Sequence, residues 1–365
     1  MKKRLKVLAF HLPQYHTFPE NDEWWGKGFT DWVNVKNAKP LYKGHYQPRV
    51  PLNQNYYNML DYQTREWQAE TAQKYGIYGF CYYHYWFNGK LLMEKPLEML
   101  LREKEISLPF CFCWANEPWT RTWDGLENNI LMPQRYGDEQ DWKEHIDYLL
   151  KFFLDDRYIK VNNKPMLVLY RANNVERCEE MVQYWNSVCK NYGFDGIHLV
   201  EERNSFQKKV CLNNSKAYLD FEPLFHKNIA NKKHFIQNKI RKIGPRFFKR
   251  VKNGMFFYDY CWKSILYDNF VRENNKEHYL GAFVNWDNTP RKHENGLLCM
   301  GDSSPKSFGK FFRKLVEKAK KNDVEFIFVN AWNEWAEGAY LEPDEKYGYG
   351  YLEEIKKAIS GESDA

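Results

Sequence analysis

The 365-residue sequence contains no run of 18 apolar residues, so we expect no helix that spans a membrane. Its first residues, Met1 to Lys6, are basic like the start of a signal peptide. The apolar run that follows is interrupted by His11 and Pro13 and is too short for the apolar part of such a peptide. We therefore expect a cytoplasmic protein.

Several ligand-binding motifs are also missing. The eight Cys show no paired metal-binding spacing, and Cys111 and Cys113 lie two apart on a predicted strand, so both point to one face. We expect reduced, mostly buried thiols. No His, Asp or Glu set has the spacing of metal ligands, and no glycine-rich phosphate loop follows a strand. The sequence thus predicts neither a metal nor a cofactor.

An excess of basic over acidic residues occurs in only one stretch of the sequence. Residues 226–254 contain ten Lys and Arg and no Asp or Glu, whereas acidic residues slightly outnumber basic ones elsewhere, despite a net charge of +6. This distribution is not that of a nucleic-acid-binding protein. Apolar residues recur in the stretch at helical spacing, which predicts a basic amphipathic insertion. It is either a lid packed on the protein body or a contact with an anionic membrane surface or acidic glycan.

Aromatic residues are abundant, at 18%, with 14 Trp, 26 Tyr and 25 Phe. A core rarely needs so many Trp and Tyr, because their polar edges require partners. The surplus indicates stacking platforms for sugar rings or nucleobases, and the alternative is a large Trp-rich core.

Short apolar runs alternate with helical patterns along the chain. The predicted strands are Lys6–Leu12, Gly76–Tyr83, Leu108–Trp114, Pro165–Tyr170, Gly196–Glu201, Ala217–Phe221, Leu280–Trp286 and Glu325–Trp332. The predicted helices are Thr64–Lys74, Lys95–Lys104, Glu139–Leu154, Val175–Tyr192, Asp259–Asn274, Ser307–Lys321 and Leu352–Ile359, and a helix between Arg203 and Lys216 is poorly marked. This alternation predicts an α/β fold, a single (β/α)₈ TIM barrel over residues 1–365. Long loops are expected after strands one (Phe18–Tyr62) and six (Pro223–Tyr258).

Polar and aromatic residues follow nearly every predicted strand, at the end where barrel enzymes place their active sites. The candidate substrate-binding residues there and in the first loop are Tyr15, His16, Trp25, Tyr83, His84, Tyr85, Trp114, Asn116, Glu117, Trp119, Trp286, Asp287, Trp332, Asn333, Tyr340 and Glu342.

Two carboxylates follow the last strand, in the segment Asn333 to Gly338. Glycosidic bond cleavage needs one carboxylic acid to protonate the leaving oxygen and a second carboxylate on the other side of the reaction. Glu334 and Glu337 are three residues apart, so a helical turn places them on one side, at a short separation that favours a retaining mechanism. We therefore expect them to be the catalytic pair.

The segment FVNAWNEWAEGAYLEP, residues 328–343, resembles the signature of the WbsX-type glycosyltransferase family, which is grouped with glycoside hydrolase family 99. Further matching segments are AFHLPQYH (9–16), ENDEWWG (20–26), GFCYYHYWF (79–87) and CWANEPWT (113–120). The resemblance covers essentially the whole chain except the basic insertion.

Family 99 resemblance implies a (β/α)₈ barrel and retaining, endo-acting cleavage of a glycan through a 1,2-anhydro sugar. The residue roles it implies are a base for Glu334, acting on the substrate's 2-hydroxyl, and the general acid/base for Glu337. This chain has Ala336 and Ala339 where the family 99 enzymes have His and Thr, so the identity of the sugar stays open.

Three functions remain after this comparison of motifs. The first is hydrolysis of a surface-type polysaccharide or oligosaccharide. The second is glycosyl transfer or transglycosylation in polysaccharide assembly, although the sequence has no DxD-type motif of sugar-nucleotide transferases. The third is a non-catalytic glycan-binding barrel, which the two glutamates disfavour.

Other acidic residues allow alternatives. Glu117 either binds substrate, replaces Glu337 as the acid, or pairs with Arg121. Asp287 either binds a hydroxyl group or caps a loop. The carboxylates of Glu201, Glu202 and Glu222 either line the same mouth or pair with arginines, for which Arg171 and Arg203 are the candidates.

Overall fold

The computed structural model describes residues 3–121, 130–227 and 254–362. Eight parallel strands form a closed barrel in which each strand pairs with its neighbours along the chain and the last pairs with the first. The strands are β1 Lys6–His11, β2 Gly79–Phe87, β3 Phe110–Trp114, β4 Lys164–Leu169, β5 His198–Arg203, β6 Ala217–Asp220, β7 Glu277–Phe283 and β8 Phe326–Asn330. The predicted TIM barrel is confirmed.

The described helices surround the barrel or lie in its loops. They are α1 Pro19–Trp25, α2 Asp31–Asn37, α3 Tyr62–Lys74, α4 Lys95–Arg102, α5 Glu139–Phe153, α6 Cys178–Asn191, α7 Tyr258–Tyr267, α8 Thr289–Lys292, α9 Pro305–Lys321 and α10 Gly350–Ser360. Short 3₁₀ turns cover Leu52–Gln54, Ala172–Asn174, Glu273–Asn275, His293–Asn295 and Trp335–Glu337. Short additional strands cover Lys90–Leu92, Trp119–Thr120, Ile130–Met132, Lys160–Val161, Met255–Phe257, Leu298–Met300, Asn333–Glu334 and Ala339–Tyr340.

The strands are apolar on both faces because helices cover the outside and side chains fill the inside. All five residues of β8 are buried, and Ile327 aligns with Val7 of β1 and Leu280 of β7. At Gly281 a Cβ atom would lie 1.8 Å from the carbonyl oxygen of Asp220, so only glycine allows β6 and β7 to approach this closely. The uninterrupted apolar runs in the sequence reflect this double burial.

The poorly marked fifth helix is absent from the described segment 204–216. The Glu201 carboxylate takes its place as an organising element, accepting hydrogen bonds from the backbone N–H groups of Cys211 (2.8 Å) and Leu212 (3.2 Å) and from the Ser215 hydroxyl (2.5 Å). The buried Glu201 carboxylate thus accepts hydrogen bonds from backbone N–H groups of the loop. In a helix, such groups would bond to the carbonyl groups of the helix itself.

Two other predictions differ from the structure in extent. The helix predicted over Asp259–Asn274 ends at Tyr267, because Asp268 is extended with φ −64° and ψ 139°. The first loop, predicted without periodicity, contains α1 and α2. The basic insertion 226–254 lies mostly outside the described residues, which omit 228–253. Among the helices that the structure describes, none is long and apolar enough to cross a membrane.

A side chain beyond the last strand adds to the closure of the barrel by binding the end of β1. Asn333 accepts a hydrogen bond from Leu12 N at 2.8 Å and donates to Leu12 O at 3.0 Å and to Tyr57 Oη at 3.1 Å. All three residues are buried, so the amide replaces water for both polar backbone groups at the end of β1.

We predict that Asn333→Ala lowers the free energy of unfolding by about 2–4 kcal/mol, since it leaves a buried N–H and C=O without partners. Urea denaturation measures this change. The control is Asn174→Ala at an exposed position, for which we expect almost no change. Equal stability of both variants would show that the Asn333 amide does not secure the barrel.

Candidate active site

A cleft of about 600 Å³ opens at the carboxyl ends of the barrel strands. Its lining includes residues from β2, from the segments that follow most of the other barrel strands, and from α8. Of the candidates named from the sequence, the lining contains Tyr83, Tyr85, Glu117, Trp119, Trp286, Glu334 and Glu337.

The segment after β8 places both glutamates in this cleft. Asn333–Glu334 pairs in antiparallel fashion with Ala339–Tyr340, and a 3₁₀ turn over Trp335–Glu337 connects them. The turn ends at Gly338 in the left-handed region (φ 63°), where a Cβ atom would lie 2.9 Å from the Arg49 guanidinium. One turn of backbone thus puts Glu334 and Glu337 on the same side, as the spacing predicts.

A buried arginine holds the two carboxylates together. Arg291 Nη2 lies 3.0 Å from Glu334 Oε2, and Nη1 lies 2.8 Å from Glu337 Oε1. The same guanidinium contacts Asp31 of α2 at 2.6 Å. Because adjacent nitrogens of one rigid fork bind both glutamates, their carboxyl groups lie close together at the cleft surface.

Burial dominates the electrostatics of this cluster. It raises the pKa of Glu334 to about 8, with Arg291 opposing the shift and Glu337 adding to it. Burial also raises the pKa of Glu337, against the opposing effect of Arg291. Since the two groups are coupled, they titrate as a pair that holds a proton near neutral pH.

Further charges lie at the mouth of the cleft. Glu117 pairs with Arg171, whose guanidinium lies 3.8 Å from the centre of the exposed Phe206 ring. Burial raises the pKa of Glu117, and Arg171 opposes that shift. Of the alternatives for Glu117, the structure thus shows an arginine pair, but with Arg171 rather than Arg121. Lys292 of α8 also lines the cleft, and its positive charge partly opposes the rise that burial causes in the pKa of Glu117 and of Glu337.

Aromatic rings form the walls. Tyr85 packs against Trp119 with ring centroids 5.3 Å apart, and Trp24 lies on Trp119 at 5.8 Å. Trp286 lines the cleft beside α8. These faces are suited to stacking on sugar rings.

Asp287 supports the turn that carries Glu334 and Glu337, and it does not line the cleft. It is buried, and its backbone N–H donates to Glu337 O at 2.6 Å. Its carboxylate binds His45 at 2.8 Å and Gln47 at 2.7 Å. Burial alone would raise the pKa of Asp287, but the His45 hydrogen bond and the Arg49 charge lower it to about 2. The structure favours the loop-capping alternative.

Three residues after β1 and β8 also lie beneath the cleft and do not line it. The Tyr15 hydroxyl donates to Asn333 O at 2.7 Å and accepts from Trp335 N at 3.2 Å. Trp332 is fully buried, with its ring 4.8 Å from that of Phe80. Together with Asn333, these groups position the turn that carries the glutamates.

Among the candidates in β2, at the end of β3 and in the segment after it, some line the cleft and others do not. His84 points towards α5, where its Nε2 lies 2.9 Å from His145 Nε2, and burial lowers its pKa to about 3. Trp114 is buried and donates to Trp86 O at 3.3 Å. Asn116 bridges to Arg171, accepting from its N–H at 2.8 Å and donating to its carbonyl at 2.9 Å. These side chains do not line the cleft because strand alternation sends them outwards or into loop packing.

The remaining candidates lie elsewhere. His16 is buried, with Nδ1 2.8 Å from Pro13 O, and Trp25 packs against Phe29 at 5.8 Å. Tyr340 stacks on Trp335 at 3.8 Å. Glu342 accepts hydrogen bonds from Trp335 Nε1 (2.6 Å), Tyr57 Oη (2.9 Å) and Gln68 Nε2 (2.7 Å), in a second cavity away from the cleft.

The other strand-end carboxylates are engaged in local pairs. Glu222 pairs with His226, and Glu201 lies in the loop network described above with Lys276 Nζ at 3.5 Å. Glu202 accepts from Asn204 Nδ2 at 3.0 Å, and burial raises its pKa well above the usual range. None of the three pairs with Arg171 or Arg203 within the parts of the chain that the structure describes, and none lines the cleft.

Sequence reasoning missed Asp31, Arg291 and Lys292, and it named Arg171 only as a possible partner of Glu201, Glu202 or Glu222. Arg291 follows Asp287 by one helical turn, which is a signal that it shares the strand-end cluster. Asp31 lies 260 residues away in a loop and gives no such signal. Within residues 3–121, 130–227 and 254–362, no three or more His, Cys, Asp or Glu side chains are grouped to hold a metal ion.

Comparison with known proteins identifies the family. The family model described as Glycosyltransferase WbsX matches residues 7–355. Two curated relatives, each described as uncharacterized protein WxcX, come from Xanthomonas campestris pv. campestris strains B100 and ATCC 33913. Each is 33% identical over 358 residues, or 97% of this chain, and the chain spans about half (49%) of their length.

Solved structures share the barrel at low identity. A GH99 endo-α-mannosidase from Bacteroides thetaiotaomicron has a TM-score of 0.57 at 12% identity, covering 97% of this chain and 96% of that one. A glycoside hydrolase-like protein has a TM-score of 0.59 at 13% identity, covering 98% and 94%. This similarity shows the fold. By its family model and its 33% identical relatives, the chain belongs to the family described as Glycosyltransferase WbsX.

Proposed function

We propose that the chain is a retaining, endo-acting glycoside hydrolase that cleaves a polysaccharide or oligosaccharide of bacterial surface type. The observation that carries this proposal is the Arg291 fork, which holds Glu334 and Glu337 side by side in the cleft. Retaining glycosidases have carboxyl groups roughly 5–5.5 Å apart, whereas inverting enzymes leave a wider gap for water. A single guanidinium that binds both carboxylates supports the short spacing.

In the proposed first step, the substrate's 2-hydroxyl attacks its own anomeric carbon. Glu334 takes the hydroxyl proton, the new C1–O2 bond forms, and the glycosidic C1–O bond breaks. Glu337 gives its proton to the leaving oxygen. In the second step a water molecule gives a proton to Glu337 and its oxygen bonds to C1, while O2 leaves C1 and recovers a proton from Glu334.

The mechanism requires that a proton move from Glu334 to Glu337 when substrate binds. Burial raises the pKa of Glu334 to about 8 in the empty cleft, whereas the mechanism needs the proton on Glu337. A 2-hydroxyl that donates a hydrogen bond to Glu334 favours its ionised form. Substrate binding therefore moves the shared proton towards Glu337, which is where the leaving oxygen needs it.

The family description favours a second candidate, glycosyl transfer. In a transglycosylase the same carboxylates would act, and a saccharide hydroxyl would replace water in the second step. Incubation with defined oligosaccharides, with and without sugar nucleotides, separates the two reactions. Reducing ends formed without any nucleotide indicate hydrolysis, and longer products indicate transfer.

We predict that Glu337→Gln lowers kcat by about 10²–10⁴-fold, because an amide keeps the shape but cannot donate the proton. The fold and ligand binding should be unchanged, as checked by circular dichroism and calorimetry. Glu317→Gln, at an exposed position on α9, is the matched control. Near-full activity of Glu337→Gln on an unactivated substrate would remove Glu337 from the acid role.

A second prediction concerns stereochemistry. A 2-deoxy or 2-O-methyl analogue of a substrate should bind without reacting, because the nucleophile is missing. The product of the natural substrate, read by NMR within minutes, should keep the anomeric configuration of the substrate. An inverted first product would contradict the close-pair mechanism and make Glu117 the candidate for one of the two roles.

The third prediction concerns pH. The general acid must hold its proton, so kcat/KM should fall as pH rises through the upper pKa of the pair, near 8. Lys292→Met removes a charge that lowers the pKa of Glu337, so the alkaline limb should move to higher pH. Lys306→Met, which changes an exposed lysine, should not move it. A limb that moves to lower pH in Lys292→Met would contradict this assignment.

A further inference from the structure

A second cavity of about 510 Å³ lies beside the segment that carries the two glutamates. Among the residues that the structure describes, the two cavities share none in their linings. Glu334 and Glu337 face the cleft, whereas Trp335, between them in the chain, borders the second cavity. The other walls are the loop 51–57, Trp67 of α3 and Tyr349 before α10. Its volume lies within the range of small-ligand sites.

Apart from the Glu342 carboxyl group, the lining is uncharged and rich in hydrogen-bonding groups. Tyr56, Trp67 and Tyr349 are half-buried and present aromatic surface. No Lys, Arg or His lies among the lining residues, all of which the structure describes, and Lys36 Nζ lies 4.1 Å from the centre of the Tyr56 ring. The Glu342 carboxyl group, which also lines the cavity, repels an anionic ligand when it is ionised. Aromatic surface combined with neutral amides is suited to an uncharged sugar, whose ring faces are apolar and whose rim is hydroxylated.

The amides come from an exposed turn with unusual backbone. Asn53 and Gln54 both have positive φ angles, of 56° and 55°, in a region that residues other than glycine seldom adopt. The Asn53 N–H bound to Glu345 Oε1 at 2.7 Å anchors the turn. Within the described chain, the side-chain amides of Asn53, Gln54 and Asn55 make no hydrogen bond. The turn therefore holds three amides at the rim of the cavity with their donors and acceptors available.

The floor of the cavity connects to the catalytic turn. Glu342 is buried there, and its carboxyl group accepts a hydrogen bond from the indole N–H of Trp335 at 2.6 Å. Burial raises the pKa of Glu342 to about 7, against the opposing Trp335 hydrogen bond. The Trp335 ring also stacks on Tyr340 at 3.8 Å. A ligand on this floor would contact the residue that separates Glu334 from Glu337.

We propose that this cavity is a second carbohydrate-binding site, which takes neutral hexose units of a glycan. The aromatic walls stack on the sugar rings, and the Asn53–Asn55 amides bind the hydroxyl groups. Because the site is separate from the cleft, it holds one part of a polymer while the cleft acts on another part. The inference does not depend on the mechanism of cleavage.

The test follows the indole N–H signals of ¹⁵N-labelled Trp67 and Trp335 in the full chain carrying Glu337→Gln, so that no turnover is needed. The probes are α-mannotetraose and maltotetraose, which are neutral, and a tetragalacturonate, which is acidic. We expect the neutral tetrasaccharides to shift both signals at millimolar concentration and the tetragalacturonate to leave them unchanged. The shifts should persist when Trp119→Ala is added to disable the cleft wall.

Matched variants probe the walls of the cavity. Trp67→Ala and Tyr349→Ala should each weaken the second binding event in calorimetry by roughly tenfold, and Trp67→Phe should restore part of it. Circular dichroism checks that each variant folds. If either alanine variant unfolds, the conservative Trp67→Phe variant still measures how much this wall contributes to binding.

Three outcomes would overturn the proposal. The first is that no neutral tetrasaccharide shifts the Trp67 and Trp335 signals while one of them binds in the cleft. The second is loss of the shifts in Trp119→Ala, which would assign them to the cleft. The third is a shift that depends on protein concentration alone, which would identify a contact between copies of the chain. Because no turnover is measured, these results leave the hydrolase proposal unaffected.

Discussion

The buried guanidinium of Arg291 is the group around which the candidate active site is organised. It contacts Asp31 at 2.6 Å, Glu334 at 3.0 Å and Glu337 at 2.8 Å, so it joins the first loop to the segment after the last strand. Loss of this guanidinium would leave buried carboxylates without a counter-charge, which is strongly destabilising, whereas loss of Glu337 alone would leave Arg291 paired with Asp31 and Glu334. The same contacts fix the spacing of the two carboxylates, on which the proposed chemistry depends.

The residues around that cluster form a support rather than a binding surface. Asn333 binds the end of β1, Tyr15 binds the backbone on either side of Glu334, and Asp287 binds the Glu337 carbonyl. Catalytic groups need positions held to a fraction of an ångström, and buried hydrogen bonds provide that precision. Much of the long motif after β8 therefore serves to hold two side chains, and its Trp335 and Glu342 connect the turn to a second cavity.

The barrel was predictable because double burial leaves a local signature. Strands such as Phe326–Asn330 are apolar at every position, and the segments between them carry a helical period. The fifth helix had no such period and is absent from 204–216. Glu334 and Glu337 were also predictable as neighbours, since three residues of a single turn set their relation whatever the rest of the chain does.

By itself the sequence determined the alternation of strands and helices, and hence the barrel, and it determined which two glutamates stand together. Tertiary structure alone decided which strand-end side chains reach the cleft. His84, Asn116 and Asp287 lie at strand ends as Tyr85 and Trp119 do, but they bond within the protein and do not line the cleft. The tertiary structure also decided that Arg291 is the residue that binds both Glu334 and Glu337. Asp31 and Arg291 are 260 residues apart, and they meet because barrel closure brings the first and seventh loops together. No local pattern in the sequence shows which residues of two such distant loops make contact.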